Sequence, residues 1–282
     1  MRYKKILIFV VLVIVVSSFF IFSAEDEKQN DKEEEKEIYV PEKDIFEMTE
    51  EELDAFLEST NSLGLEERLK KIIKARTGTP YVLGPLGEGK GKDPNPVFRV
   101  DVSDCTVFVL TTVAMANSSS TKEAEEAMEA INYYPAGEVS YDNRLHFTTY
   151  RNSVSPYFKD ITREINKAES KTVVLNRQRG VEGRIIDINF EETMTVYYVP
   201  SSVLSEEALM QLPSVSGVAF LRHGDENIGL DVRHEGFLIN GKQIVHASNE
   251  RGEVVKENFF EYLFNNGVAR FDGVIFFEVL EV

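Results

Sequence analysis

The chain has 282 residues, 43% of them hydrophobic, a net charge of −17 and a single cysteine. That apolar content can build one large core or two small ones. The acidic balance argues against nucleic acid, whose binding needs a basic footprint.

Arg2, Lys4 and Lys5 precede an uncharged apolar run over residues 6–24. This run is longer than the ~7–15 residues of a signal-peptide core and close to the ~20 of a spanning helix. No lipid-accepting cysteine lies nearby, and Phe22 is a poor residue two before a cut at Ala24. The reading therefore favours an uncleaved membrane anchor over a cleaved signal. With the basic end inside, the remainder is expected outside the cytoplasm, in the cell envelope. Residues 25–54 carry 15 acidic and four basic side chains, and residues 25–37 contain nothing apolar. Such a stretch repels itself and stays solvated. The expected organisation is an anchor or signal over 1–24, an acidic spacer over 25–47 and a folded domain over 48–282.

Thr49 and Glu52 form a capping-box pattern that predicts a helix to about Glu58. A second helix is predicted over 65–76, with Leu65, Leu69, Ile72 and Ile73 on one stripe. A glycine-rich loop follows over 78–92. It lacks the preceding strand and following helix that a phosphate loop requires.

The segment Asp101-Val102-Ser103-Asp104-Cys105 runs into an apolar stretch. This is a helix start, with Ser103 or Asp104 as cap, Cys105 in the first turn and an end near Ala116. An unpaired cysteine behind an export signal is a candidate reactive thiol. At a helix N-terminus its thiolate would be stabilised and its pKa lowered. The competing reading is a small buried hydrophobe. Ser120 with Glu123 predicts a further helix over 121–132.

Residues 133–171 read as loop-rich, with a short helix near 162–167. Arg144 and His146 alternate, so in extended backbone both would face one side as a substrate clamp. Strands are predicted over 172–175, 183–190, 193–199, 217–221, 231–239, 242–247 and 273–280, with short helices near 206–211 and 258–264. Helices early and strands late are the order of an α+β domain, with helices packed on one side of an antiparallel sheet. His223 reads as a strand-end residue, and Asp225, Glu226 and Asp231 as solvated loop residues.

His234 and His246 flank one hairpin around Asn240-Gly241. A two-residue turn would put the histidines on opposite faces. A three-residue loop, Ile239-Asn240-Gly241, would pair Leu238 with Lys242 and set His234 opposite His246. The chemistry selects the second, because a cysteine nucleophile needs a histidine base and a third group to orient it.

Taken in order, Thr79-Pro80-Tyr81, Asp104-Cys105-Thr106, His234-Glu235-Gly236 and His246-Ala247-Ser248 resemble the NlpC-type superfamily of papain-like bacterial cell-wall cysteine hydrolases. Within it, Arg144-Leu145-His146-Phe147 and Tyr262-Leu263 … Ala269-Arg270 look like the N-acetylmuramoyl-L-alanine amidase-like branch. The resemblance runs from about Leu65 to the C-terminus. It implies a papain-like fold with the nucleophile at a helix N-terminus packed on an antiparallel sheet. It makes Cys105 the nucleophile, His234 the base and His246 the orienting residue. Tyr81 and Asp104 flank the nucleophile on the substrate side, with Arg144 and His146 as further substrate contacts. The branch has an acidic residue where this chain has Leu110 and a tyrosine where it has Phe147, which touches specificity rather than the triad.

The expected activity is cleavage of an amide bond in peptidoglycan or muropeptides, between N-acetylmuramic acid and L-alanine, without a cofactor. Three alternatives stand beside it: an endopeptidase between D-glutamate and a diamino acid, a zinc site using Cys-His-His, and a non-catalytic envelope-binding protein.

Overall fold

The computed structural model describes residues 43–282. The apolar segment 6–24 and the spacer through residue 42 lie outside the described residues. Among the described residues no helix is long and apolar enough to cross a membrane.

Capping signals decide where the early helices begin. Helix α1 (Glu50–Thr60) opens on a reciprocal capping box, Glu52 N–H donating to Thr49 Oγ1 at 3.3 Å and Thr49 N–H to Glu52 Oε2 at 2.9 Å. Helix α2 (Leu65–Ala75) buries Leu69, Ile72 and Ile73. Helix α3 (Cys105–Ala116) starts at the Asp104 cap, whose Oδ1 accepts from Val107 N–H at 2.8 Å. Every residue of α3 from Val107 to Ala116 is buried, so it is a central helix rather than an amphipathic one. Helix α4 (Thr121–Asn132), capped by Ser120, packs beside it.

Seven strands form a continuous antiparallel path: β2 (Glu169–Leu175), β3 (Glu192–Pro200), β10 (Gly273–Val279), β4 (Val215–Leu221), β5 (His234–Ile239), β6 (Gln243–Ser248) and β7 (Glu253–Asn258). A short β1 (Phe158–Asp160) pairs with β10, and β8 (Phe264–Asn265) with β9 (Val268–Ala269) makes a separate hairpin. The α+β expectation with an antiparallel sheet therefore holds. Both faces are covered, however. Phe237 of β5 meets Phe108 of α3 edge-on at 5.7 Å on one side. On the other, Phe220, Leu238 and Phe276 pack with α7 (Phe259–Leu263) and with Leu209 of α6 (Glu206–Leu209). Strand β4 is buried along its whole length because it lies between these two layers.

Five expectations need correction. Residues 183–190 are not a strand. The buried Asn176 side chain accepts from Ile186 N–H at 2.9 Å and donates to Phe190 O at 3.0 Å, taking up backbone groups that strand pairing would use. Helix α5 (Thr148–Val154) was missed because it has no polar cap of its own. Its cap comes from Asp231, far along the chain, which accepts from Thr149 N–H at 2.7 Å and from Thr149 Oγ1 at 2.6 Å. Asp231 is thus buried rather than solvated, and Asp225 likewise sits buried in a two-point ion pair with Arg233. Strand β7 was missed altogether, and the predicted helix near 162–167 is a single 3-10 turn over Thr162–Glu164.

Candidate active site

The hairpin that carries the two histidines combines both turns considered from sequence. Asn240 and Gly241 have positive φ, and Lys242 N–H donates to Ile239 O at 3.1 Å, as in a two-residue turn. Lys242 is then an extra residue, and the ladder resumes with Ile239 opposite Gln243, Leu238 opposite Ile244 and Phe237 opposite Val245. The expected Leu238–Lys242 pairing is off by one step on each strand, yet the parity is preserved. Carried one step further, this register sets His246 beside Gly236. A Cβ on Gly236 would stand 2.9 Å from the His246 Cβ and 2.6 Å from Val245 O, so glycine here lets the ring lie across the strand.

The His234 and His246 rings therefore meet at right angles, Nε2 of His234 lying 2.8 Å from Nδ1 of His246. His246 Nε2 lies 3.0 Å from Oε2 of Glu257. These contacts fix every proton in the chain. A carboxylate only accepts, so His246 Nε2 carries hydrogen and its Nδ1 is an acceptor. His234 Nε2 then carries hydrogen, and His234 Nδ1 keeps a free lone pair. Glu257 was not anticipated, because the β7 strand that delivers it was not recognised. Its signal was the β-branched pair Val254-Val255, too short by itself to mark a strand. Val255 pairs with His246, and Glu257 is the diagonal neighbour on the same face.

Cys105 is half-buried at the first position of α3. The backbone N–H of Glu235, the residue next to His234, favours its ionised form. Burial, then the Asp104 and Glu235 carboxylates, push the thiol up to about 12. The expectation of a lowered thiol pKa is corrected here: the helix N-terminus is outweighed by desolvation and two nearby negative charges. Burial, reinforced by His246 and Arg270, pulls His234 down to about 3. Burial also lowers His246, against the opposing pull of Glu257. At neutral pH the site holds a neutral thiol and two neutral imidazoles. Because the two rings turn their facing nitrogens on each other, they do not converge on a metal. Among the described residues no group of three or more His, Cys, Asp or Glu is arranged to hold one.

Tyr81 and Tyr262 both lie within electrostatic reach of the Cys105 thiol. Burial, then the charges of Cys105 and Asp104, push Tyr81 up to about 12, and burial raises Tyr262 as well. The Tyr262 ring packs on His246 at 4.4 Å and on His234 at 5.8 Å. Asp104 serves as the helix cap and also accepts from Gly84 N–H at 2.9 Å, fastening the loop after Tyr81.

Arg144 and His146 do not alternate as extended residues. His146 N–H closes a tight turn onto Arg144 O at 3.0 Å. Arg144 donates from Nε to Glu88 Oε1 at 2.6 Å and from Nη2 to Asp93 Oδ2 at 2.9 Å, with its guanidinium over the Tyr141 ring. His146 Nε2 meets Tyr141 O at 2.8 Å. Both side chains are thus engaged with the protein, and Arg144 ties down the glycine-rich loop.

A family model described as AmiA-like, N-acetylmuramoyl-L-alanine amidase-like, matches residues 71–269. Similar crystal structures include a Legionella pneumophila str. Philadelphia 1 protein of the DUF1460 family model, 23% identical with a TM-score of 0.69, over 82% of this chain and 94% of that one. An N-acetylmuramoyl-L-alanine amidase from Bacteroides uniformis ATCC 8492 is 18% identical with a TM-score of 0.58, over 77% of this chain and 99% of that one. At these identities the likeness is one of fold. No curated protein matches the chain.

Proposed function

The chain belongs to the N-acetylmuramoyl-L-alanine amidase-like family, and on that premise we propose that it is a cysteine amidase of papain-like, NlpC-type architecture acting on muropeptides. The observation that carries this reading is the hydrogen-bonded series His234–His246–Glu257, which leaves His234 Nδ1 free on β5, the strand that packs against the helix begun by Cys105. A buried neutral imidazole with one nitrogen free is a general base held in a single tautomer.

In the proposed reaction, the Cys105 sulfur attacks the carbonyl carbon of the amide while His234 Nδ1 takes the thiol proton. The developing oxyanion is met by the backbone N–H of Cys105 at the start of α3, where helical N–H groups have no intrahelical partner. His234 returns the proton to the leaving amine, the C–N bond breaks and a thioester remains. Water, deprotonated by His234, then cleaves the thioester and restores the thiol. Because thiol and imidazole both begin neutral, proton transfer accompanies attack rather than preceding it. The bond proposed is that between N-acetylmuramic acid and L-alanine. We further place the domain outside the cytoplasm, tethered through residues 6–24, from the charge pattern of the sequence.

Digestion of purified muropeptides with product masses tests this. The expected products are the muramic sugar with a free lactyl carboxylate and an intact stem peptide with a free L-alanine amine. Cleavage between D-glutamate and the diamino acid would make the protein an endopeptidase, and the absence of any product would favour a binding protein.

A further inference from the structure

On the histidine side of the site lies an open cavity of about 300 Å³, walled by His234, His246, Tyr262 and three arginines, Arg222, Arg233 and Arg270. Glu250 is the single carboxylate in its wall. This local excess of positive charge stands out in a chain of net charge −17. Two of the arginines are neutralised: Arg233 holds Asp225 at 2.6 and 2.7 Å, and Arg270 reaches Glu250 at 3.1 Å. Arg222 differs. Its Nε donates to Arg270 O at 3.0 Å and its guanidinium lies 5.7 Å over the Phe271 ring. That aims the plane of the fork, while its two Nη groups have no ion-pair partner among the described residues.

We propose that this cavity receives the amine-side product and that Arg222 binds a carboxylate of that peptide. The inference rests on the amidase reading in one respect: the group that protonates a leaving amine stands on the amine's side of the scissile bond. A cavity bounded by His234 and His246 is therefore the leaving-group side. A guanidinium with both Nη groups open matches a carboxylate in two-point geometry. The surrounding negative charge repels an anionic peptide elsewhere and leaves this cluster as its landing point.

Binding and turnover test this separately. Calorimetry on the full chain compares L-alanyl-D-glutamate with its diamide, and kinetics compare the corresponding muramoyl-dipeptides. The acid is expected to bind roughly 10- to 100-fold more tightly than the diamide, the scale of one charge-assisted pair. The kinetic preference should appear in KM, and Arg222→Gln should abolish the difference between the two ligands. Added salt should weaken the wild-type preference, a readout that does not depend on the variant folding. Equal binding of acid and diamide by the wild type, or a preference that survives Arg222→Gln, would overturn the proposal. Carboxylate-selective binding without any turnover would leave Arg222 in this role and sink the amidase reading. Turnover without selectivity would do the reverse.

Discussion

Arg151 and Glu235 form an ion pair buried to 1% exposure on both sides, with Nη2 to Oε2 at 2.7 Å and Nη1 to Oε1 at 3.2 Å. The pair joins α5 to the strand position directly after His234. It therefore fixes β5, the strand that carries His234, where it packs between α5 and α3. Removing one partner strands the other charge in the core. Arg151→Met is expected to cost about 3–5 kcal/mol of stability, measured by urea unfolding. A loss below about 1 kcal/mol, the scale of an exposed pair, would show that the pair is not held in the core.

Glu257 fixes the tautomers of both histidines through a single contact. Glu257→Ala leaves His246 free to present either nitrogen to His234, so kcat should fall about 100-fold, the low end of what general acid–base catalysis supplies. KM should change little, and Glu257→Gln, which keeps an acceptor oxygen, should recover part of the loss. An unchanged kcat in Glu257→Ala would remove Glu257 from the site.

The thiol and the base have pKa values displaced in opposite directions, Cys105 up to about 12 and His234 down to about 3. A raised thiol pKa means less thiolate at neutral pH than an ordinary cysteine has. Alkylation of Cys105 by iodoacetamide should therefore be slow at pH ~7 and still climbing beyond pH ~8.5. A depressed imidazole pKa keeps the base neutral well below the ordinary histidine value of 6.5, so turnover should persist into mildly acidic solution. An alkylation plateau already reached below pH ~7 would instead reveal a preformed thiolate–imidazolium pair.

Much of this site was legible in the sequence, for reasons that differ by element. Helix α3 begins at Cys105 as expected because Asp104 is a strong local cap, and local signals survive without knowledge of the fold. The shared face of His234 and His246 was chosen on chemical grounds, since the sequence permits both turns, and it holds although the turn itself adds Lys242 as an extra residue. Glu257, Asp231 and the Arg151–Glu235 pair were invisible because each acts on a partner that only strand pairing or helix docking brings near. The thiol pKa went the other way for a similar reason. A helix N-terminus can be read from sequence, whereas the burial of the thiol, the largest cause, and the Glu235 carboxylate brought in by β5 cannot.

Arg144 separates two readings that a single variant can tell apart. As a substrate clamp, its removal would raise KM and leave stability unchanged. Held instead by Glu88 and Asp93, with Glu88 buried, it is a structural tie for the glycine-rich loop. Arg144→Ala should lower stability by about 2–4 kcal/mol, the scale of a buried carboxylate left without its cation, measured by chemical denaturation. Glu88→Gln in the same chain should restore part of it. A stable Arg144→Ala with a raised KM would return Arg144 to the substrate.

The central claim is that Cys105 carries the acyl group through the reaction, and acid quenching during turnover tests it most directly. Intact-mass measurement of the protein mixed with a muramoyl-peptide should show an adduct equal to the muramoyl group, formed with release of the stem peptide. Peptide mapping should place it on Cys105, and Cys105→Ala should abolish both the adduct and the hydrolysis. Turnover that continues in Cys105→Ala, or an acyl group mapped to another side chain, would contradict the account.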